Sequence, residues 1–97
     1  MPENYIESEK KLERKLVTKI KSRGGWAIKL SSQHIFGLPD RLCLLPGGGA
    51  FFVEVKTTKK KPTKIQKVVH NKLRGMGFMV YVIDSSEQIK DLMEEYE

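Results

Sequence analysis

A single cysteine, two histidines and no apolar run approaching the ~18–20 residues of a membrane span set the first limits on this chain. With Cys43 alone no internal disulfide can form, and with only His34 and His70 beside it a closed Cys/His zinc site is poorly supplied. Cys43 lies between Leu42 and Leu44 and reads as core filling rather than a nucleophile. The opening residues Met1 to Tyr5 lack the charged and apolar regions of a signal peptide, so the chain is expected to stay in the cytoplasm where it is made. Repeats, low-complexity tracts and obvious linkers are missing too, and 97 residues read as one domain spanning 1–97. A domain this short buries a limited core, which makes a homodimer that adds buried surface the expectation.

Acids are scarce where bases are dense. Residues 1–82 hold 17 Lys and Arg against 6 Asp and Glu, whereas residues 83–97 hold one Lys against 6 acids. Such segregation describes a basic working surface facing a polyanion, with the acidic tail kept away from it. A basic patch alone would equally fit a membrane surface or simple solubility. Carboxylates set beside it favour phosphate chemistry.

The carboxylates that matter sit in a hairpin. Gly37-Leu38-Pro39-Asp40 leads into Arg41–Leu45, and Pro46-Gly47-Gly48-Gly49 separates that run from Ala50–Lys56. A Gly cluster between two short apolar runs marks a β-turn between strands. With the tip at residues 46–48, positions summing to 94 face each other, so Asp40 stands opposite Glu54. Directly opposed residues have Cβ atoms about 4.5–5.5 Å apart, close enough to share a divalent cation. Glu54 and Lys56, two apart, project from one face. An ionised carboxylate among Phe51, Phe52, Val53 and Val55 needs compensation. Two readings stand: a Glu54–Lys56 or Asp40–Arg41 ion pair at a sheet edge, or a Mg²⁺ or Mn²⁺ site built from carboxylate oxygens.

Around the hairpin, residues 6–23 read as an amphipathic helix stopped by Gly24-Gly25. Its apolar arc holds Leu12, Leu16, Val17 and Ile20, and Glu13 and Glu9 both fall inside it. Trp26–Leu30 alternates as a strand, with Trp26, Ile28 and Leu30 on the apolar face and Lys29 opposite. Lys29 is either a solvated strand lysine or a phosphate contact. Residues 31–38 form a polar loop with His34 within it. Thr57–Pro62 carries Lys59-Lys60-Lys61, which is either a solvated run or a grip on a nucleic-acid backbone. Thr63-Lys64-Ile65-Gln66 reads as a capping box opening a second helix, with Ile65, Val68, Val69, Leu73 and Met76 as its apolar face. Lys64, Lys67, Lys72 and Arg74 extend the basic surface. Phe78–Ile83 reads as an interior strand, and Ser85 caps a last helix that turns Ile89, Leu92, Met93 and Tyr96 inward. The order is αβββαβα, an α/β (α+β) fold with a mixed central sheet.

Pro39-Asp40 followed by Glu54-Val55-Lys56 resembles the PD-(D/E)xK nuclease signature in its literal form. Glu13 on the first helix, Gly37 to Arg41, the Gly tip and Gln66 stand in an order and spacing that resemble a stand-alone virus-type replication-repair nuclease (VRR-NUC) domain over nearly the whole chain. The resemblance implies a restriction-endonuclease-like fold and a metal-dependent endonuclease hydrolysing DNA in a bacterial or phage-infected cell. It implies that Asp40, Glu54, the Val55 carbonyl and Glu13 hold Mg²⁺ or Mn²⁺, with Glu9 the alternative to Glu13. It assigns Lys56 to the attacking water or the phosphorus, and Gln66 to the active-site rim; His70 also matches a family position. Lys29, Arg41, Lys59, Lys60, Lys61, Lys64 and Lys67 form the expected nucleic-acid-binding set. Stand-alone members resemble paired cutters, and two symmetric centres suit branched DNA, above all a four-way junction. Without a helix-turn-helix or zinc finger, structure-selective cutting is favoured over base readout. A non-catalytic nucleic-acid-binding module and a protein-interaction subunit remain open; a Mg²⁺ requirement argues against the first, and steeply salt-dependent duplex binding against the second.

Overall fold

Residues 6–31 and 34–97 are described in the structure, a computed structural model. The expectation for the opening residues 1–5, and residues 32 and 33 of the polar loop, lie outside the described residues. The order is α1 (Glu9–Ser22), β1 (Trp26–Lys29), β2 (Arg41–Leu45), β3 (Gly49–Val55), α2 (Lys64–Gly75), β4 (Val80–Ile83) and α3 (Ser86–Glu95). This is the αβββαβα arrangement. The strands form one mixed sheet in the order β1-β2-β3-β4, antiparallel except for the parallel β3–β4 pair.

Local chemistry sets the ends. Ser8 caps α1 by accepting the Lys11 N–H at 3.2 Å, so the helix starts three residues later than its apolar periodicity indicates. Gly24, at φ +78°, turns the chain out of α1. The hairpin register matches the sum of 94, with Leu45↔Gly49 through Arg41↔Val53, and Gly47 and Gly48 supply the positive φ of the tip.

The core lies on one side of the sheet. Leu12, Leu16 and Ile20 of α1 and Ile89, Leu92 and Met93 of α3 cluster with Cys43, Phe51, Val53, Val55 and Ile83. Each such side chain contributes about 1.5–3 kcal/mol relative to exposure. Cys43 is the core filler expected, its thiol pushed up to about 12 by burial.

The opposite side is less covered, and four expectations change across the fold. Side chains alternate along a strand, and it is Ala27 that packs on the core while Trp26 is 66% exposed, so the apolar β1 face points away from α1. Val17 is only half-buried. On α2, Ile65, Val68 and Met76 are exposed and His70 is the buried residue. The strand expected at Phe78–Ile83 begins at Val80 and is a sheet edge rather than interior; Phe78 and Met79 are exposed. On α2 the inward stripe is mixed: Gln66 and His70 reach Glu54, with Val69 and Leu73 half-buried on the same helix. Among the described residues no helix is long and apolar enough to cross a membrane.

Candidate active site

Glu54 is the chemical anomaly of the sheet. It stands in β3, an interior strand, and is 2% exposed. Its Oε2 accepts from Gln66 Nε2 at 3.0 Å and pairs with Lys56 Nζ at 3.2 Å. Its Oε1 is buried without a hydrogen-bond partner, as is His70 Nε2, which lies 3.8 Å away. Burial first, and then the nearby Asp40 charge, push Glu54 up to about 7, against the lowering effect of Lys56.

Asp40 ends the loop before β2, one step beyond the Arg41↔Val53 pair and therefore opposite Glu54. Its carbonyl accepts the Leu30 N–H at 2.9 Å, and its Oδ2 accepts the Val55 N–H at 2.7 Å. Burial raises the Asp40 carboxyl, the Val55 bond lowers it, and the charges of Glu13 and Glu9 raise it again. His70 is driven toward its neutral form by burial, with Arg74 and Lys56 acting the same way.

Gln66 completes a capping box and also contacts Glu54. Its backbone N–H donates to Thr63 Oγ1 at 3.3 Å and its Oε1 accepts the Thr63 N–H at 2.9 Å, the complete capping box. Its remaining Nε2 reaches Glu54. Likewise the Glu54–Lys56 ion pair is present, though inside the sheet rather than at its edge. The Asp40–Arg41 pair is replaced by the Val55 bond.

The structure therefore brings together Asp40, Glu54, Val55, Lys56 and Gln66, and adds His70. Glu13 is committed elsewhere. Arg41 Nε and Nη2 meet its Oε2 at 2.8 and 2.7 Å, Arg41 Nη1 donates to the Ala27 carbonyl at 3.1 Å, and Lys29 Nζ lies 3.8 Å from Glu13. Odd-numbered positions of β1 and β2 face α1, so Arg41 and Lys29 meet Glu13 there, while Glu54 faces α2. Glu9, on the first turn of α1, is the helix acid whose charge raises both Asp40 and Glu54. Lys59, Lys60, Lys61, Lys64 and Lys67 are exposed, and His34 is an exposed loop residue.

The donor set fits a hard divalent cation. Two carboxylates with raised proton affinity, one buried oxygen without a partner and the nearby Val55 main chain offer oxygen ligands only. Among the described residues no group of three or more His, Cys, Asp and Glu forms a metal cage. Magnesium is commonly held by one or two carboxylates plus water and substrate phosphate, a need this set meets. A groove of about 710 Å³ between α1 and α3 includes neither Asp40 nor Glu54. Sequence reasoning passed over Glu7, which is buried and tied to Ser86 and Lys15. Reading Ser8 as the cap would have separated Glu7 from the helix and exposed it to scrutiny.

No family model matches the sequence. A relative named "Putative nuclease p44", from Acyrthosiphon pisum secondary endosymbiont phage 1, is 40% identical over 79 residues, covering 81% of this chain and 85% of that protein. A solved structure described as a VRR_NUC domain is 32% identical and superposes with a TM-score of 0.86, covering 94% of this chain and 100% of its own.

Proposed function

The chain belongs to the VRR-NUC nuclease family, and on that premise we propose that it is a divalent-cation-dependent endonuclease hydrolysing phosphodiester bonds in structured DNA. The observation that carries this reading is Glu54: a buried carboxylate with one oxygen held by Lys56 and Gln66, the other without a partner, and Asp40 opposite. A fold kept only for binding gains nothing from such a group, because burying a carboxylate with one oxygen unsatisfied is costly even when the other is paired.

Asp40, Glu54 and the Val55 carbonyl would hold Mg²⁺ or Mn²⁺. When bound, such an ion supplies Lewis-acid polarisation of the phosphoryl group and a more acidic water. Gln66 and Lys56 keep Glu54 turned the same way through its Oε2, leaving Oε1 available. Lys56 also places a positive charge where negative charge develops on the phosphoryl oxygens. Glu13 acts as the counter-charge that holds Arg41 beside the site. The exposed lysines of the β3–α2 loop and of α2 grip the phosphate backbone.

The working unit in this reading is a homodimer. Trp26, Phe36, Ile65, Val68, Phe78 and Met79 are all exposed. Cross-strand neighbours Ile28, Leu42 and Phe52 form a half-buried apolar row on the sheet side away from α1. An apolar surface of this extent supports a second copy of the chain. Two centres related by a twofold axis suit a branched DNA, with a four-way junction the substrate of choice. The deciding experiment is cleavage of forked, flapped, nicked and four-way DNAs in Mg²⁺, Mn²⁺ or EDTA. Cation-dependent cutting of branched forms supports the reading; no cutting under any cation overturns it.

A further inference from the structure

Among the described residues, Glu54, His70 and Glu7 are the polar or charged groups that are buried. The first two belong to the acid centre. Glu7 serves no role in the proposed chemistry, yet it joins segments far apart in sequence. Its Oε1 accepts the Ser86 N–H at 2.8 Å at the start of α3. Its Oε2 accepts from Lys15 Nζ at 3.1 Å and from the Ser86 hydroxyl. The main chain is engaged as well: the Glu7 N–H donates to Thr58 Oγ1 at 2.8 Å, and the Thr58 N–H donates back to the Glu7 carbonyl at 3.2 Å. Thr58 Oγ1 in turn donates to the Asp84 carbonyl at 3.0 Å, and Asp84 Oδ2 accepts the Lys59 N–H at 3.1 Å.

Holding α1 to α3 does not require this group, because Leu12, Leu16, Ile89 and Met93 already share the core. What the network adds is a fixed place for the loop after β3. That loop leaves the sheet at Lys56, whose N–H donates to the Ile83 carbonyl at 2.8 Å, and carries Lys59, Lys60 and Lys61 before α2 begins. Lys59 has φ +70°, a left-handed conformation that a non-glycine residue keeps only when its surroundings impose it. Lys59 is the third residue of a turn closed by the Lys60 N–H donating to the Thr57 carbonyl at 2.8 Å, and its own N–H is held by Asp84, which places that turn against the network. Burial pushes the Glu7 carboxyl up, but the Ser86 and Lys15 donors outweigh it and bring it down to about 2, so the network is ionised across the neutral range.

We propose that Glu7 and Thr58 form a latch that sets the Lys59–Lys61 run against the DNA phosphates, which makes Glu7 a positioning residue for substrate binding. This rests on the reading of the chain as a nuclease acting on DNA. Loosening the latch leaves the three lysines charged but removes their common placement. Each lysine that no longer reaches a phosphate lowers the salt dependence of log affinity by ~0.9.

The test uses the full chain with Glu7→Gln, Thr58→Val and Thr58→Ser, and a labelled four-way DNA. Affinity is measured in EDTA across ~50–200 mM salt, amide exchange is followed over residues 57–61, and single-turnover cleavage is measured at saturating DNA with Mg²⁺. In Glu7→Gln and Thr58→Val, the Lys59 amide exchanges faster and the salt slope flattens by ~0.9–1.8. The rate at saturation stays at the wild-type value, and Thr58→Ser restores the slope. If Glu7→Gln does not fold, Thr58→Val carries the test alone. Thr58→Val with a wild-type slope, or with loss only in the rate at saturation, overturns the latch. A wild-type protein that binds DNA without cutting it, while the variants flatten the slope, removes the nuclease reading and keeps the latch. Wild-type cutting with unaltered slopes in the variants removes the latch alone. A wild-type protein that does not bind DNA removes both.

Discussion

The Gln66 side chain donates through Nε2 to Glu54 Oε2 at 3.0 Å while its Oε1 accepts the backbone N–H of Thr63 at 2.9 Å. One residue thus closes the first turn of α2 and orients the buried acid of β3. Substitutions can separate the two duties. Thr63→Ala removes only the cap and should lower stability by about 1 kcal/mol with little change in the cleavage rate. Gln66→Ala removes both and should also lower cleavage by about 10–100-fold. Thermal melts and single-turnover rates on the same preparations check this; equal rate losses in both variants would mean that Gln66 acts through the helix alone.

Glu54→Gln should abolish cleavage while DNA binding in EDTA survives or strengthens, since a negative charge near phosphate is gone. It should also stabilise the cation-free protein at pH 8. Folding raises the Glu54 pKa from the ordinary carboxylate value to about 7, so the folded chain favours the neutral acid. That contribution is fully present below pH ~4 and is lost as pH rises through about 7. Glutamine stays neutral throughout. Its melting temperature should therefore exceed that of wild type by several degrees at pH 8 in EDTA, and the two should converge near pH ~5. A lower melting temperature at pH 8 would mean that the Lys56 pair outweighs the burial of the charge.

On the proposed reading, a cation bound at Glu54 would displace the proton that Glu54 holds. The apparent Mg²⁺ affinity, read as the Mg²⁺ concentration giving half-maximal cleavage, should rise with pH below about 7, by up to ~10-fold per unit, and level off above it. An affinity unchanged between pH ~6 and ~8 would place the ion away from Glu54.

Much of this was legible because the hairpin is governed by local chemistry. Pro46 to Gly49 fixes the turn, the turn fixes the register, and the register places Asp40 opposite Glu54. The helix starts marked by Thr63 and Ser85 were equally local. What failed depended on which face another element covers. Nothing in the alternation of Trp26, Ala27, Ile28 and Lys29 says which side meets α1, and the larger side chains suggested the wrong one. On α2 the apolar positions Ile65, Val68 and Met76 point inward by expectation because burial of apolar area is the usual driving force. Here Gln66 and His70, drawn to Glu54, share the inward side with half-buried Val69 and Leu73. Position along the helix puts Glu13 on the acid centre, and only the sheet facing reveals Arg41 as its partner.

The same misassigned faces give the last prediction. Trp26, Ile65 and Val68 are exposed, and α2 leaves the apolar row of Ile28, Leu42 and Phe52 half-covered. If a second copy covers this surface, sedimentation in dilute buffer should give about twice 11.1 kDa. Val68→Glu sets a charge on that face and should yield monomers with little loss of fold, because Val68 is exposed within a single chain. The substrate claim is separable from the assembly. The dimer should nick opposing strands of an immobile four-way junction at symmetry-related positions, and the Val68→Glu monomer should lose the pairing of cuts before it loses nicking itself. A wild-type monomer that still makes paired cuts would remove the dimer from the explanation. A dimer that leaves junctions intact would keep the interface and remove the junction as substrate.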